Sequence, residues 1–294
     1  MPARRWLTNP ALERLAARME APLRRAFERA VAILQRSIPL EAIEYALARR
    51  EVTPELLARL ADLPNQLAPV GRVMAQAYER AAHVTVGVLN DALGGGMSFT
   101  LTDPRTTGWA AAHAGQLIRD VQQETVQAVR AALADSFVSG VHPKDLSKTI
   151  RAVVGLTERQ EHAVMRYAES LFADGEPVPT VMSQAQKYAS KLQKQRALLI
   201  ARTESSMATA AGQQAAWQHA ADQGWMSAER SLRRWDASRL PNMCAICRDQ
   251  LNGQVVIGLN TPFDYVDRRG RRQYVLTNPA HPACQCRVNL LVRS

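Results

Sequence analysis

Cys244-Ala-Ile-Cys247 and His281-Pro-Ala-Cys284-Gln-Cys286 contain all four cysteines of this 294-residue chain. Random placement would scatter four cysteines along the sequence, so their grouping indicates that the two clusters meet in the fold. A C-x-x-C turn presents two thiolates to one metal ion, and a second ligand pair from a distant loop completes a tetrahedral site. The sequence therefore indicates one structural zinc, held by four of these five cysteine and histidine donors.

Two other arrangements of the same cysteines remain open. They could form a pair of disulfides, although disulfides are uncommon in proteins that mature in a reducing cytosol. They could also be four reduced thiols in a small core, because the second cluster is C-x-C rather than the usual C-x-x-C. A catalytic zinc is disfavoured, since no acid or base flanks the clusters as it does in H-E-x-x-H.

The residues around the cysteines follow a recognisable order. Ala201-Arg202-Thr203-Glu204 lies on a predicted helix, Trp235-Asp236 lies on a predicted strand, and Arg287 directly follows the last cysteine. This order resembles the Mu F-type minor head proteins, which are head morphogenesis proteins of tailed double-stranded DNA bacteriophages. The resemblance covers about residues 100 to 292 and is most specific in the last 95 residues.

The resemblance implies a virion protein that associates with the portal vertex inside the head. It implies a role in procapsid assembly and in DNA packaging or delivery, with assembly in the host cytoplasm. The implied partners are the portal protein, a major capsid or scaffold protein, and packaged double-stranded DNA. Such a protein needs no catalytic residue, so we expect it not to be an enzyme. The alternative is a zinc-stabilised nucleic-acid-binding protein.

The composition favours a helix-rich fold, because aromatic residues are few, at 5%, while alanine and leucine are abundant. Triple glycine at 94–96 and Gly224 are strong helix breakers. We therefore predict an α+β protein with a helical N-terminal region (1–96), a central body of long helices (97–224) and a small antiparallel β domain (225–294). The cysteine cluster is expected to staple that last domain.

Local signals place several elements within this scheme. Thr53-Pro54 is typical of a helix N-cap followed by proline, and Thr157-Glu-Arg-Gln160 is a capping-box pattern. Long helices are predicted over 70–93 and 183–223, and Pro22 is expected to kink or split an earlier helix. Residues 98–102 alternate like a short strand or a linker, and residues 265–276 indicate a hairpin with glycine at its tip.

The chain is basic, with a formal net charge of +10. Residues 201–294 carry 12 Lys and Arg against 7 Asp and Glu, so the excess is concentrated near the C-terminus. Such a charge permits contact with DNA or with an acidic protein surface. For the lysine stripe, a solvated helix face is the favoured interpretation. The candidate DNA contacts are Lys187, Lys191, Lys194, Arg268, Arg269, Arg271 and Arg272.

No apolar run in the sequence approaches the roughly 20 residues that a membrane span needs. The N-terminal Met-Pro-Ala-Arg-Arg-Trp is not followed by the apolar segment of a secretory signal. We therefore expect a soluble protein with no membrane partner.

Overall fold

The computed structural model describes residues 6–49, 51–99, 104–136, 142–237 and 243–293. The predicted α+β class is confirmed, since the structure is 68% helical and carries its small antiparallel sheets near the C-terminus. The helices are α1 (Pro10–Ser37), α2 (Leu40–Arg49), α3 (Pro54–Leu60), α4 (Leu63–Leu93), α5 (Pro104–Ser136), α6 (Pro143–Val153), α7 (Glu158–Ala173) and α8 (Val178–Asp222). The strands are β1 (Leu232–Asp236), β2 (Val255–Ile257), β3 (Phe263–Val266), β4 (Arg272–Val275) and β5 (Arg287–Leu291).

Both predicted helix caps are confirmed. The Thr53 hydroxyl accepts a hydrogen bond from the Leu56 amide, and Pro54 occupies the first turn of α3. At the start of α7, the Thr157 hydroxyl accepts from the Gln160 amide while the Gln160 side chain accepts from the Thr157 amide. Each reciprocal bond satisfies a backbone donor that lacks an intrahelical partner.

Two predicted helix starts were wrong, and one predicted effect of proline was wrong in part. Helix α4 begins at Leu63 rather than at residue 70, and it continues through Pro69 because its apolar stripe is fully buried there. Helix α8 begins at Val178 rather than at residue 183, since Pro179 lies in the first turn, where no backbone donor is needed. Helix α1 continues through Pro22, so the predicted split there is wrong, while the alternative of a kink stays a prediction.

The predicted strand or linker at 98–102 is described only in part. Residues 98 and 99 form no strand, and residues 100–103 lie outside the described chain. The segment is fixed by Asn90, whose side chain donates to the Met97 carbonyl and accepts from the Met97 amide, both at 2.9 Å. Met97 and Phe99 are consequently held in a buried position.

The chain divides into two compact units. One contains Met1–Leu23, Arg72–Ala111 and Leu199–Ser294, and the other contains Arg24–Gly71 and Ala112–Leu198. Each unit therefore gathers segments that are distant in sequence, and α1, α4, α5 and α8 contribute to both. The division into 1–96, 97–224 and 225–294 follows helix ends along the chain and stays a prediction.

The core of the first unit joins helices to the C-terminal sheets. Side chains of α4 and α8 pack in one cluster with those of the strands; its members include Tyr78, Ala82, Leu89, Ala216, Trp217, Trp235, Phe263, Val288 and Leu290. The close approach of the two helices requires a glycine. A methyl group on Gly212 would lie 2.1 Å from the carbonyl oxygen of Tyr78.

The sheets of the first unit are antiparallel throughout. One has the strand order β2-β1-β5, with Trp235 opposite Val288, and the other is the β3-β4 hairpin. This hairpin confirms the one predicted over residues 265–276. Leu7 forms an isolated bridge with Leu290, so the residues before α1 extend the three-stranded sheet at β5.

The core of the second unit contains a buried arginine. Arg196 on α8 donates to the Gly155 carbonyl at 2.6 Å and pairs with Glu124 of α5. Gly155 adopts a positive φ of 88° and lies against Val31, where a β-carbon would come within 2.7 Å of that side chain. The turn after α6 is therefore fixed both by its backbone conformation and by its packing.

We expect Gly212→Ala to destabilise the protein by about 1–3 kcal/mol, because the added methyl group overpacks the contact between α8 and α4. The matched control is Gly87→Ala, a helical site with no atom within 4 Å of the added carbon. That change should be neutral or stabilise by up to about 1 kcal/mol. Thermal and urea unfolding measure both effects, and equal stabilities for the two variants would contradict the tight crossing.

Candidate metal centre

The two cysteine clusters lie at one end of the three-stranded sheet. Asp236, the last residue of β1, is opposite Arg287, the first residue of β5. The chain leaves β1 toward Cys244 and returns to β5 through Cys286, so antiparallel pairing brings the clusters together. Cys244 precedes a π-helical segment, Ile246–Leu251, which contains Cys247.

The predicted convergence of the five donors is confirmed. The Cys244 sulfur lies 2.9 Å from Nε2 of His281, and the Cys247 sulfur lies 3.1 Å from the same nitrogen. The sulfurs of Cys247 and Cys284 are 3.7 Å apart. Those of Cys247, Cys284 and Cys286 all lie within 4.8 Å of one another. Cys247 thus belongs to both halves of the cluster.

These separations are close to those of a tetrahedral zinc shell. Two sulfurs that each lie ~2.3 Å from zinc are about 3.8 Å apart, and a sulfur and a nitrogen are about 3.6 Å apart. The Cys247–Cys284 distance of 3.7 Å fits this geometry directly. The two sulfur–nitrogen distances are shorter, so a bound ion would move His281 outward by about half an ångström.

The cysteines, all four of which lie in the described part of the chain, are not in disulfides. The Cys247–Cys284 separation of 3.7 Å is far longer than the ~2.05 Å of a sulfur–sulfur bond. This structure therefore has the reduced form of the cluster, which is the form that binds metal.

The ring of His281 is oriented as a metal ligand. Its Nδ1 lies 2.9 Å from the carbonyl oxygen of Pro282. Because that oxygen can only accept, Nδ1 carries the proton and Nε2 presents its lone pair to Cys244 and Cys247. Zinc-ligating histidines are usually fixed in this way by a backbone carbonyl or a carboxylate.

The cluster disfavours thiolates in the absence of a cation. Hydrogen bonds with Cys284 and Cys286, followed by burial, raise the pKa of Cys247 far above its ordinary value. The hydrogen bond with Cys247 lowers the pKa of Cys284, but contact with Cys286 and burial outweigh it and raise that pKa to about 11. A divalent cation reverses this balance, because metal-bound cysteines are deprotonated.

Helix α8 supports the loop that carries His281 and Cys284. The Thr203 hydroxyl donates to the Leu199 carbonyl at 2.8 Å and accepts from the Ala283 amide at 3.0 Å. Asn278 at the start of the loop donates to the Ser206 hydroxyl at 3.3 Å. Ala283 has a φ of 58°, a left-handed conformation that costs energy for a residue with a β-carbon. The bond to Thr203 helps to hold it.

An open cleft of about 720 Å³ lies in front of the cluster. Its lining includes Arg268, Arg269 and Arg271 from the hairpin loop. Arg271 pairs with Asp267 at 2.9 Å, whereas within the described chain no ion-pair partner lies within 4 Å of Arg268 or Arg269. Two of the predicted arginine contacts thus present free charge beside the cysteines.

The remaining predicted DNA contacts are placed differently. Arg272 pairs with Asp264 at 3.4 Å, which partly neutralises it. Lys187, Lys191 and Lys194 are exposed on the part of α8 that belongs to the second unit. Their exposure fits a solvated face as well as a contact surface, so the structure leaves their predicted role untested.

Sequence reasoning missed Arg233, which organises the C-terminal loops. Its side chain is fully buried, donates to the carbonyls of Gly258 and Thr261, and donates to the Leu276 carbonyl at 2.5 Å. Burial lowers its pKa to about 10, so it remains charged at neutral pH. An arginine on a short strand gives no sequence signal of such burial, because arginine is ordinarily exposed.

Comparison of the chain with protein-family models, with curated proteins and with solved structures finds no match in any of the three. The helices of the described chain are all too short or too polar to cross a membrane. The resemblance to the Mu F-type minor head proteins therefore stays a prediction from the sequence motifs.

We expect the purified protein to contain about one zinc per chain by elemental analysis. Cys244→Ser combined with Cys247→Ser should abolish zinc binding and remove the amide-exchange protection of the last ~60 residues, because metal binding and folding are coupled in such sites. The helices of the second unit should keep their protection.

Two single variants identify the ligands. If His281→Phe loses zinc and Cys286→Ser keeps it, the histidine is the fourth ligand. If Cys286→Ser loses zinc and His281→Phe keeps it, the four cysteines are the ligands. If the wild-type protein contains no zinc after expression and refolding in zinc-supplemented medium, the predicted zinc site is wrong.

Proposed function

We propose that the protein is a minor capsid and head morphogenesis protein of a tailed bacteriophage. It associates with the portal vertex inside the head and acts in procapsid assembly and in DNA packaging or delivery. One observation supports this: the segments that carry the family resemblance lie around a single centre. Thr203 of Ala-Arg-Thr-Glu bonds the loop of His281, and that histidine contacts Cys244 and Cys247.

The architecture suits an assembly role rather than chemistry. Helix α8 has 45 residues and is about 68 Å long at 1.5 Å per residue, which offers an extended surface to a partner. If four of the five donors hold a zinc ion, its shell is closed, as in structural sites. We therefore propose a non-enzymatic protein whose main partner is the portal, with a major capsid or scaffold protein as a further partner.

We propose that helices make the portal contact, and the structure offers a competing surface for comparison. Tyr45 on α2 and Leu199 on α8 are 53% and 44% exposed. On the β domain, Ile257 and Tyr274 are 62% and 63% exposed. Single exposed apolar side chains are common on protein surfaces, so these residues serve as probes of the helices and of the β domain rather than as a shown contact patch.

We expect the full-length protein to co-purify with the portal protein encoded by the same phage genome. Tyr45→Ser combined with Leu199→Ser should weaken the association, whereas Ile257→Ser combined with Tyr274→Ser should retain it. The reverse pattern would contradict the helical contact and place the portal on the β domain. Failure of the wild-type protein to co-purify from infected or co-expressing cells would contradict the proposed function.

Nucleic-acid binding is a second proposal, favoured by the arginines of the hairpin loop. Arg268 and Arg269 are exposed at the mouth of the cleft, and Arg271 lies beside them. Phosphate contacts of this kind give affinity without sequence preference. A head-internal protein meets packaged DNA, so the two proposals are compatible. A zinc-stabilised DNA-binding domain would hold this loop in a fixed position.

We expect the protein to bind random duplex DNA with an affinity that falls as salt rises. Arg268→Ala combined with Arg269→Ala should reduce the slope of log affinity against log salt by about 0.9 for each lost phosphate contact. Arg49→Ala, which removes an exposed arginine paired with Glu51, is the control and should leave the slope unchanged. Fluorescence anisotropy measures both.

A separate substitution of Lys187, Lys191 and Lys194 by alanine tests the lysine stripe. A slope that depends on neither set of residues would rule out both predicted DNA surfaces.

A further inference from the structure

Three metal-ligating side chains outside the cysteine cluster converge in the second unit. Nδ1 of His162 on α7 lies 3.0 Å from a carboxylate oxygen of Asp135, in the last turn of α5. The same nitrogen lies 3.3 Å from a carboxylate oxygen of Glu161. One donor atom from each of the three residues lies within 4.8 Å of the other two.

These separations match the edges of a metal coordination shell. Nitrogen and oxygen ligands lie about 2.0–2.2 Å from a divalent transition-metal ion. Neighbouring ligands are then about 3.0 Å apart in an octahedral shell and about 3.4 Å apart in a tetrahedral one. The observed 3.0 and 3.3 Å fall in that interval.

Glu161 provides an independent indication that something is bound. Its side chain has 0% exposure, and neither carboxylate oxygen has a hydrogen-bond partner within the described chain. An ionised buried carboxylate without a hydrogen bond is strongly unfavourable, so buried carboxylates are ordinarily protonated, paired or bound to a metal. The carboxylate is directed toward the His162 ring and Asp135 rather than toward solvent.

A charged histidine alone does not explain the arrangement. A protonated Nδ1 carries one N–H, which Asp135 already accepts at 3.0 Å, so Glu161 at 3.3 Å gains no good hydrogen bond. Nε2 of the same ring faces Glu158 at 3.7 Å, which adds a third acidic group around one imidazole. A divalent cation satisfies both carboxylates at once, because it accepts several ligands.

We propose that Asp135, Glu161 and His162 form a binding site for a divalent transition-metal ion of the Mn²⁺ or Fe²⁺ type. Carboxylate oxygens and an imidazole nitrogen are the ligands that such ions prefer, in contrast to the thiolates of the cysteine cluster. The ion joins the last turn of α5 to the first turns of α7. Water or a further ligand completes its shell.

Manganese titration followed by electron paramagnetic resonance tests the site. The protein is first saturated with one equivalent of zinc, which thiolates hold in preference to Mn²⁺, so the cysteine cluster does not compete. We expect one Mn²⁺ per chain to lose its free-ion signal. Glu161→Gln, Asp135→Asn and His162→Ala should each weaken binding by more than about 10-fold, as loss of a ligand exceeds loss of its supporting contacts.

The control is Glu169→Gln, which removes an exposed carboxylate from the same helix and should leave Mn²⁺ binding unchanged. Thermal unfolding shows that each variant is folded, and Mn²⁺ should raise the melting temperature of the wild-type protein but not of Glu161→Gln. Wild-type protein that leaves Mn²⁺ free would overturn the proposal. So would folded Glu161→Gln protein that binds the ion as tightly as the wild type.

Discussion

Four thiols and one imidazole held within a few ångströms of one another are the constraint around which the C-terminal strands are arranged. Its strands have three to five residues, too few to be stable alone, and the segment between β4 and β5 has no regular structure. Buried thiols without a cation resist ionisation, yet a zinc shell requires thiolates. If the cluster binds zinc, metal binding and the folding of this segment would belong to a single equilibrium.

Arg233 holds together a second group of loops in the same domain, away from the cysteine cluster. The turns at Gly258 and Thr261 and the end of the hairpin at Leu276 leave carbonyl groups without ladder partners, and one guanidinium donates to all three. Its face lies 5.3 Å from the Phe263 ring, which adds a cation–π contact. A buried arginine is tolerable because these acceptors replace its lost hydration.

The sequence predicted correctly those features that depend on residues close together in the chain. Neighbouring residues determine the helix caps at Thr53 and Thr157, the hairpin and the helical periodicity. The cysteines converge because antiparallel strands return the chain to the same end of the sheet. The start of α8 was missed because proline is tolerated in the first turn of a helix, where the backbone N–H has no intrahelical acceptor. The start of α4 was missed because burial of its apolar residues outweighs the hydrogen bond lost at Pro69. Burial of Arg233 and Glu161, and the composition of the compact units, depend on segments far apart in sequence, which periodicity does not encode.

The two candidate metal centres differ in donor chemistry, and this difference determines how they can coexist. Sulfur ligands at Cys244 and Cys247 favour zinc, whereas the carboxylates of Asp135 and Glu161 favour a harder ion. Affinity for divalent ions rises from manganese toward zinc at most sites, so the oxygen-rich site retains a hard ion only while the sulfur site takes up the available zinc. If both centres bind metal, zinc uptake by the cysteines would leave the oxygen-rich site to a harder ion.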